Sequence, residues 1–223
     1  MKMIAQFCRE GAACYMSHLD LLRCVQRTLR RAEMPMAYSQ GFNPHPLLSF
    51  AQAMGVGLGS RGDYFEVGLT EELEPAEFVK RFNEKATPGV HVLQARAAAE
   101  KEKTVMSQVQ AAQYRFTVPE EAEDTIKDAL YTLMNSQTFP YEKKSKSGVK
   151  QDDMRPKIFR GSMENRAVEA ILSCGNDNLQ PKAFWQALCK LANRELPTKI
   201  IRLDLFRREG NELVSISRAP EQS

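Results

Sequence analysis

His18, Asp20 and His45 are the residues of this 223-residue chain best suited to moving a proton. An imidazole titrates near neutral pH, and a carboxylate beside it can orient the ring. Folded against one another, the three would make a general acid/base pair or a weak metal site. No ligand pair at helical spacing supports a metal, so neither metal nor cofactor is expected. Around His18 the chemistry changes to charge. Arg23, Arg27 and Arg30 recur at i, i+4 and i+7, with Arg31 beside them. On a helix they share a face, and their guanidinium forks suit phosphate. The bland alternative is a solvated helix face.

The next segment, YSQGFNPHP, is locked by Pro44 and Pro46 and hinged at Gly41. Each proline fixes its own φ and biases Asn43 and His45 toward extended backbone. A stiff loop of this kind presents Phe42, Asn43 and His45 in a set geometry. An aromatic ring beside an amide and an imidazole suits stacking on, and hydrogen bonding to, an unpaired base. The competing reading is a rigid corner between strands, with His45 capping backbone groups.

A second basic region spans 143–160. Lys143, Lys144, Lys146, Lys150, Arg155, Lys157 and Arg160 face only Asp152 and Asp153, in a chain whose net charge is +3. A basic loop between strands fits phosphate contact, and a solvated hairpin is the alternative. Asp153-Met154-Arg155-Pro156 closes the region, with an Asp–Arg ion pair expected to hold the turn. The expected phosphate contacts are thus Arg23, Arg27, Arg30, Lys143, Lys144, Lys150 and Arg155.

The elements that hold these residues follow from hydrophobic period. A strand over 1–8 precedes a helix capped by Ser17 and stopped by Pro35. Extended pieces at 36–40 and 47–53 follow, then a glycine-rich turn, GVGLGSRGD, and a strand at 63–69. Pro75 opens a second helix, and Gly89 releases a strand. The order β-α-β-β-α-β is that of a ferredoxin-like domain. It repeats as a strand at QYRFTV, the helix EEAEDTIKDALYTLMN, strands at TFPYEKK and NRAVEAILSC, a helix around Trp185 and a closing strand, TKIIRLDLFRR. The expected fold is α+β: two tandem ferredoxin-like units with antiparallel sheets. Their expected bounds are 1–97, a linker at 98–111, 112–210 with the basic insertion at 143–160, and a tail at 211–223.

Composition excludes several classes. Hydrophobic content of 43% suits a globular chain with its own core. Five cysteines, odd in number and without a C-x-x-C pair, argue against disulfide, zinc and iron–sulfur frameworks. No apolar run reaches membrane-spanning length and the N-terminus has no apolar h-region. A cytoplasmic protein without membrane association is expected. P-loop, dinucleotide and G-x-S-x-G patterns are absent. His91 and Trp185 are expected to be structural.

The block SHLDLLRCVQRTLRRAEMPMAYSQGFNPHPLLSFAQAMGVG resembles the signature of the bacterial radical SAM-linked protein family, a domain found alone or fused to radical SAM enzymes. Asp153-Met154-Arg155-Pro156 resembles its second motif. The resemblance covers roughly 1–208; it implies a radical SAM enzyme as partner and supplies no mechanism. Joined to the basic helix and loop, it suggests an RNA-binding accessory module acting in tRNA or rRNA modification. Two other readings stand beside it: a metal-independent ribonuclease or RNA-modifying enzyme using His18 or His45, and a scaffold that docks a radical SAM partner.

Overall fold

The structure is a computed structural model and describes residues 1–145 and 148–220. Two compact units divide the chain, one formed by Met1–Gln110 with the chain from Arg202, the other by Ala111–Ile201. In the first unit β1 (Lys2–Arg9) is followed by α1 (His18–Arg31), β2 (Leu48–Phe50), β3 (Gly59–Gly68), α2 (Pro75–Glu84), β4 (Val90–Ala97) and the single turn α3 (Val105–Gln108). The second unit holds β5 (Ala111–Thr117), α4 (Glu123–Asn135), β6 (Pro140–Ser145), β7 (Gly148–Asp153), β8 (Ile158–Glu164), β9 (Ala167–Ser173) and α5 (Pro181–Leu191). The chain closes with β10 (Ile200–Glu209) and β11 (Glu212–Ser215).

The first unit runs β4-β1-β3-β10, with β2 on β3 and β11 on β10. β1 pairs antiparallel with both β3 and β4, and β2 with β3. One face of β1 carries Met3, Ala5 and Phe7, which join Leu21, Val25 and Leu29 of α1 in one core. Phe65 on β3 is its centre, with ring centroids 5.6–6.4 Å from Phe7, Phe50, Phe78 and Phe82. Each such ring stabilises the unit by roughly 1.5–3 kcal/mol through burial. This core fixes one face of α1 inward and leaves the arginine face in water.

Four sequence expectations change here. The closing strand, read as part of the second half, gives Arg202 onward to the first unit. Its polar side chains find partners there: Arg202 meets Asp63 and Asp204 meets Tyr64. The sheet is therefore mostly antiparallel and parallel in part, where antiparallel sheets were expected. The glycine-rich stretch is largely strand, since β3 starts at Gly59. Gly62 is required: a Cβ would sit 2.1 Å from the Leu203 carbonyl oxygen. The supposed linker and tail also pack. Val105, Val109 and Ile216 are buried, and Glu102 pairs with Arg96.

The second unit pairs β5-β9-β8, all antiparallel. Phe116 packs against Phe184 and lies parallel to Trp185, so the lone tryptophan is core as expected. Four strands, β6 to β9, separate α4 from α5, where two were expected. β6 pairs with β7 in a separate two-stranded sheet, and β8 takes its expected place beside β9. β9 buries Val168, Ala170 and Leu172 on one face and pairs along its edge with β8. Among the described residues no helix is long and apolar enough to cross a membrane.

Candidate nucleic-acid interface

Ser17 caps α1 by accepting from the Asp20 N–H, and its hydroxyl donates to the Asp20 carboxylate at 2.7 Å. That fixes where the helix starts and hence which residues share its outer face. A groove of about 360 Å³ runs along this face, lined by Asp20, Arg23, Cys24, Arg27, Arg31 and Thr87 among others. Its arginines sit at i, i+4 and i+8. Arg30, expected in the row, is exposed but outside the groove. At 3.6 residues per turn the row drifts, and Arg31 takes the last place. Arg31 is held by donating to the Lys85 carbonyl (2.8 Å) and the Thr28 hydroxyl (3.2 Å). Arg23 lies 3.7 Å from Asp20, both largely exposed. Such a pair is worth little and leaves Arg23 able to turn to another anion. Arg27 has no ion-pair partner among the described residues.

The proline loop is a closed hairpin. Ser39 N–H donates to the His45 carbonyl (2.9 Å), and the His45 N–H donates back to the Ser39 hydroxyl (3.1 Å). The His45 Nδ1 also bonds that hydroxyl at 2.9 Å. His45 therefore clasps its own loop, its ring on the Ser39 hydroxyl where the corner reading expected it on backbone groups. Phe42 stands at the tip, fully exposed at 106%. Asn43 is exposed beside it. An aromatic ring held in water at a loop tip is free to stack on a flat partner.

His18 sits elsewhere, with its ring 5.6 Å from Phe50. His18 packs on Phe50 and His45 bonds Ser39, and no group of three or more metal-ligating side chains occurs among the described residues. Asp20, the third candidate, is occupied by Ser17 and Arg23.

The basic insertion starts in the β6–β7 pair, with Lys143 opposite Lys150, and runs on into β8. Lys150 is exposed. The Lys144 side chain and Lys146 lie outside the described residues. Lys143 is half-buried, 3.6 Å from Asp152 and 3.9 Å from Asp177. Lys157, buried, holds the same two carboxylates at 2.5 Å each. The Lys157 bond holds the Asp152 carboxyl below its usual range. Burial opposes charge on Lys157, yet the two carboxylates win and raise its pKa. The ammonium thus stays charged and serves as a pin. The Asp153–Arg155 ion pair expected at the turn is replaced by other bonds. Asp153 accepts from the Phe139 and Arg155 N–H groups. The Arg155 guanidinium donates to the Met134 and Ile158 carbonyls. A cation there satisfies an end-of-helix carbonyl of α4.

Several groups escaped sequence reasoning. Cys8 Sγ lies 2.8 Å from His91 Nδ1 across β1 and β4. Burial pushes that thiol up, so it is no ready nucleophile. Arg9 donates to the Gly55 and Leu58 carbonyls, and Arg202 bonds Asp63 at 2.6 Å. Tyr64 donates to Asp204 at 2.5 Å and lies 3.3 Å from the Ser215 hydroxyl. Burial raises both Tyr64 and Asp204. Each link joins residues far apart in the chain, so no local spacing signals it.

No curated protein matches the chain. A model of the family described as an uncharacterized protein conserved in bacteria, DUF2344, matches residues 2–181, a span that includes the arginine groove, the proline loop and the hairpin. The chain belongs to that family, DUF2344.

Proposed function

We propose that this chain is an RNA-binding accessory module which presents tRNA or rRNA in the cytoplasm to a radical SAM enzyme for modification. The observation that carries the reading is the groove on α1, where Arg23, Arg27 and Arg31 line one concave strip. Arginines one helical turn apart are about 6 Å from each other, a spacing suited to successive phosphates. Phe42 supplies a stacking ring and Asn43 an amide for an unpaired base. The radical SAM partner comes from the resemblance of the 17–57 block. We also read the first unit as ferredoxin-like, from its β4-β1-β3 order with β2 on β3 and two helices between.

The test is binding of labelled bulk tRNA over a salt series, wild type against Arg23→Ala/Arg27→Ala. Log affinity should fall linearly with log salt, and the double variant should flatten the slope by about 1.4–1.8, or 0.7–0.9 per lost phosphate contact. Absence of binding at low salt, or an unchanged slope in the variant, would overturn the reading. The fully exposed Phe42 also favours a protein-docking scaffold. That alternative predicts a complex with the radical SAM enzyme that survives nuclease and high salt and is lost in Phe42→Ala.

A further inference from the structure

The second unit holds an open groove of about 770 Å³ between one side of α5 and the segment that follows it. Its floor is apolar: Trp185, Cys189, Leu196 and Ile200. Its rims are cationic. Lys182 and Lys190 stand exposed on α5, Arg194 on the turn beyond, against the single carboxylate of Glu195. The amides of Gln186 and Asn193 complete the lining.

The groove is preformed. Asn193 adopts a left-handed φ of 51° as the helix ends. The Ala192, Asn193 and Arg194 N–H groups take the Leu188, Lys190 and Cys189 carbonyls. The indole N–H of Trp185 takes the Leu196 carbonyl at 2.9 Å. These bonds fix both walls and satisfy three of the carbonyls at the end of α5.

We infer that this groove binds a nucleoside phosphate. The apolar floor suits the face of a base, and the amides can meet its donor and acceptor edge. The two lysines and Arg194 suit the phosphate. An acyl chain would fill the floor but leave the amides unmatched. The volume lies within the range of small-ligand sites. The same chemistry is offered by a free nucleotide and by an unpaired nucleotide of an RNA. The inference does not depend on the α1 groove.

Trp185 is the only tryptophan, so its emission reports on this groove alone. The experiment titrates the full chain with each of the four nucleoside monophosphates, following fluorescence and, in parallel, heat. A saturable change is expected, with the matching nucleosides and inorganic phosphate at least about tenfold weaker. Lys182→Ala/Lys190→Ala should weaken nucleotide binding by about tenfold or more while keeping its melting temperature, since alanine suits exposed helix. Three results would each overturn the inference: no saturable signal by either method, equal binding by the variant, or equal binding of nucleoside or phosphate alone. Displacement of the bound nucleotide by a short single-stranded RNA would assign the site to RNA; failure to displace it would assign it to free nucleotide. The Arg23→Ala/Arg27→Ala protein should titrate like wild type, so loss of tRNA binding on α1 leaves this result intact.

Discussion

Arg23 and Arg27 stand in water on α1, whereas Arg9 and Arg202 of the same unit are 1% and 2% exposed. The buried pair does structural work. Arg9 ties down the carbonyls of Gly55 and Leu58, and Arg202 pairs with Asp63 at 2.6 Å. Water cannot replace those partners, so their loss strands a charge in a medium that solvates it poorly. On α1 water already serves each guanidinium, and leaving water for a phosphate is a small step. The difference teaches that the same side chain is scaffold or ligand-binder according to solvent access, which the core around Phe65 decides.

Breaking the buried pair should have the largest effect. Asp63→Ala removes the carboxylate that lies 2.6 Å from the Arg202 guanidinium and should cost about 3–5 kcal/mol in urea unfolding. A loss below 1 kcal/mol would mean that solvent reaches Arg202. The Arg96–Glu102 pair tests an intermediate case, with Glu102 side chain 1% and Arg96 15% exposed. Glu102→Gln should cost about 1.5–3 kcal/mol near neutral pH. Burial raises the Glu102 carboxyl, but its bonds from Arg96, Ala99 and Gln108 outweigh that and hold it below the usual 4.5. A folded pKa below the unfolded one means the contribution is present above pH 4.5 and lost as pH falls through the lowered value. Stability profiles of wild type and variant should therefore converge in acid; parallel profiles would remove the ion pair from the account. Asp204, raised by burial, acts in the opposite sense: its contribution is complete below its ordinary 3.8 and declines as pH rises.

On the exposed side, Phe42→Ala should weaken single-stranded RNA binding by about 1–3 kcal/mol with no change in melting temperature. A shift in melting without a change in affinity would make the ring structural. The smallest effect should be on the stability of Arg23→Ala/Arg27→Ala, within about 0.5 kcal/mol of wild type. A larger loss would show that the row supports the helix, and the contrast with Arg9 and Arg202 would fail.

Local chemistry was the legible part. The Ser17 cap, the Pro75 helix start, the turn at Gly89 and the apolar faces of α1 and α5 follow from neighbours within a few residues, and the structure has them there. The arginine row was legible except for its last member, because whether Arg30 or Arg31 enters the groove depends on how α1 rotates against its core. Residues 143–160 were legible as charge but not as structure. Lys143, Lys157 and Arg155 turn out to hold carboxylates and carbonyls, and only Lys150 remains exposed toward solvent among the described lysines named for phosphate contact.

By itself the sequence determined the α+β class, the order of the elements from β1 to β4, the stiffness of the proline loop and the supply of arginines on α1. Those depend on φ restriction, hydrophobic period and capping, all of which act over a few residues. Tertiary structure alone decided that β10 closes the first unit, that β8 replaces β6 beside β9, and that Arg9 meets the Gly55–Leu58 turn. Those depend on which distant strand edge offers hydrogen bonds and which buried carboxylate or carbonyl can neutralise a guanidinium, a competition settled only when the whole core has formed.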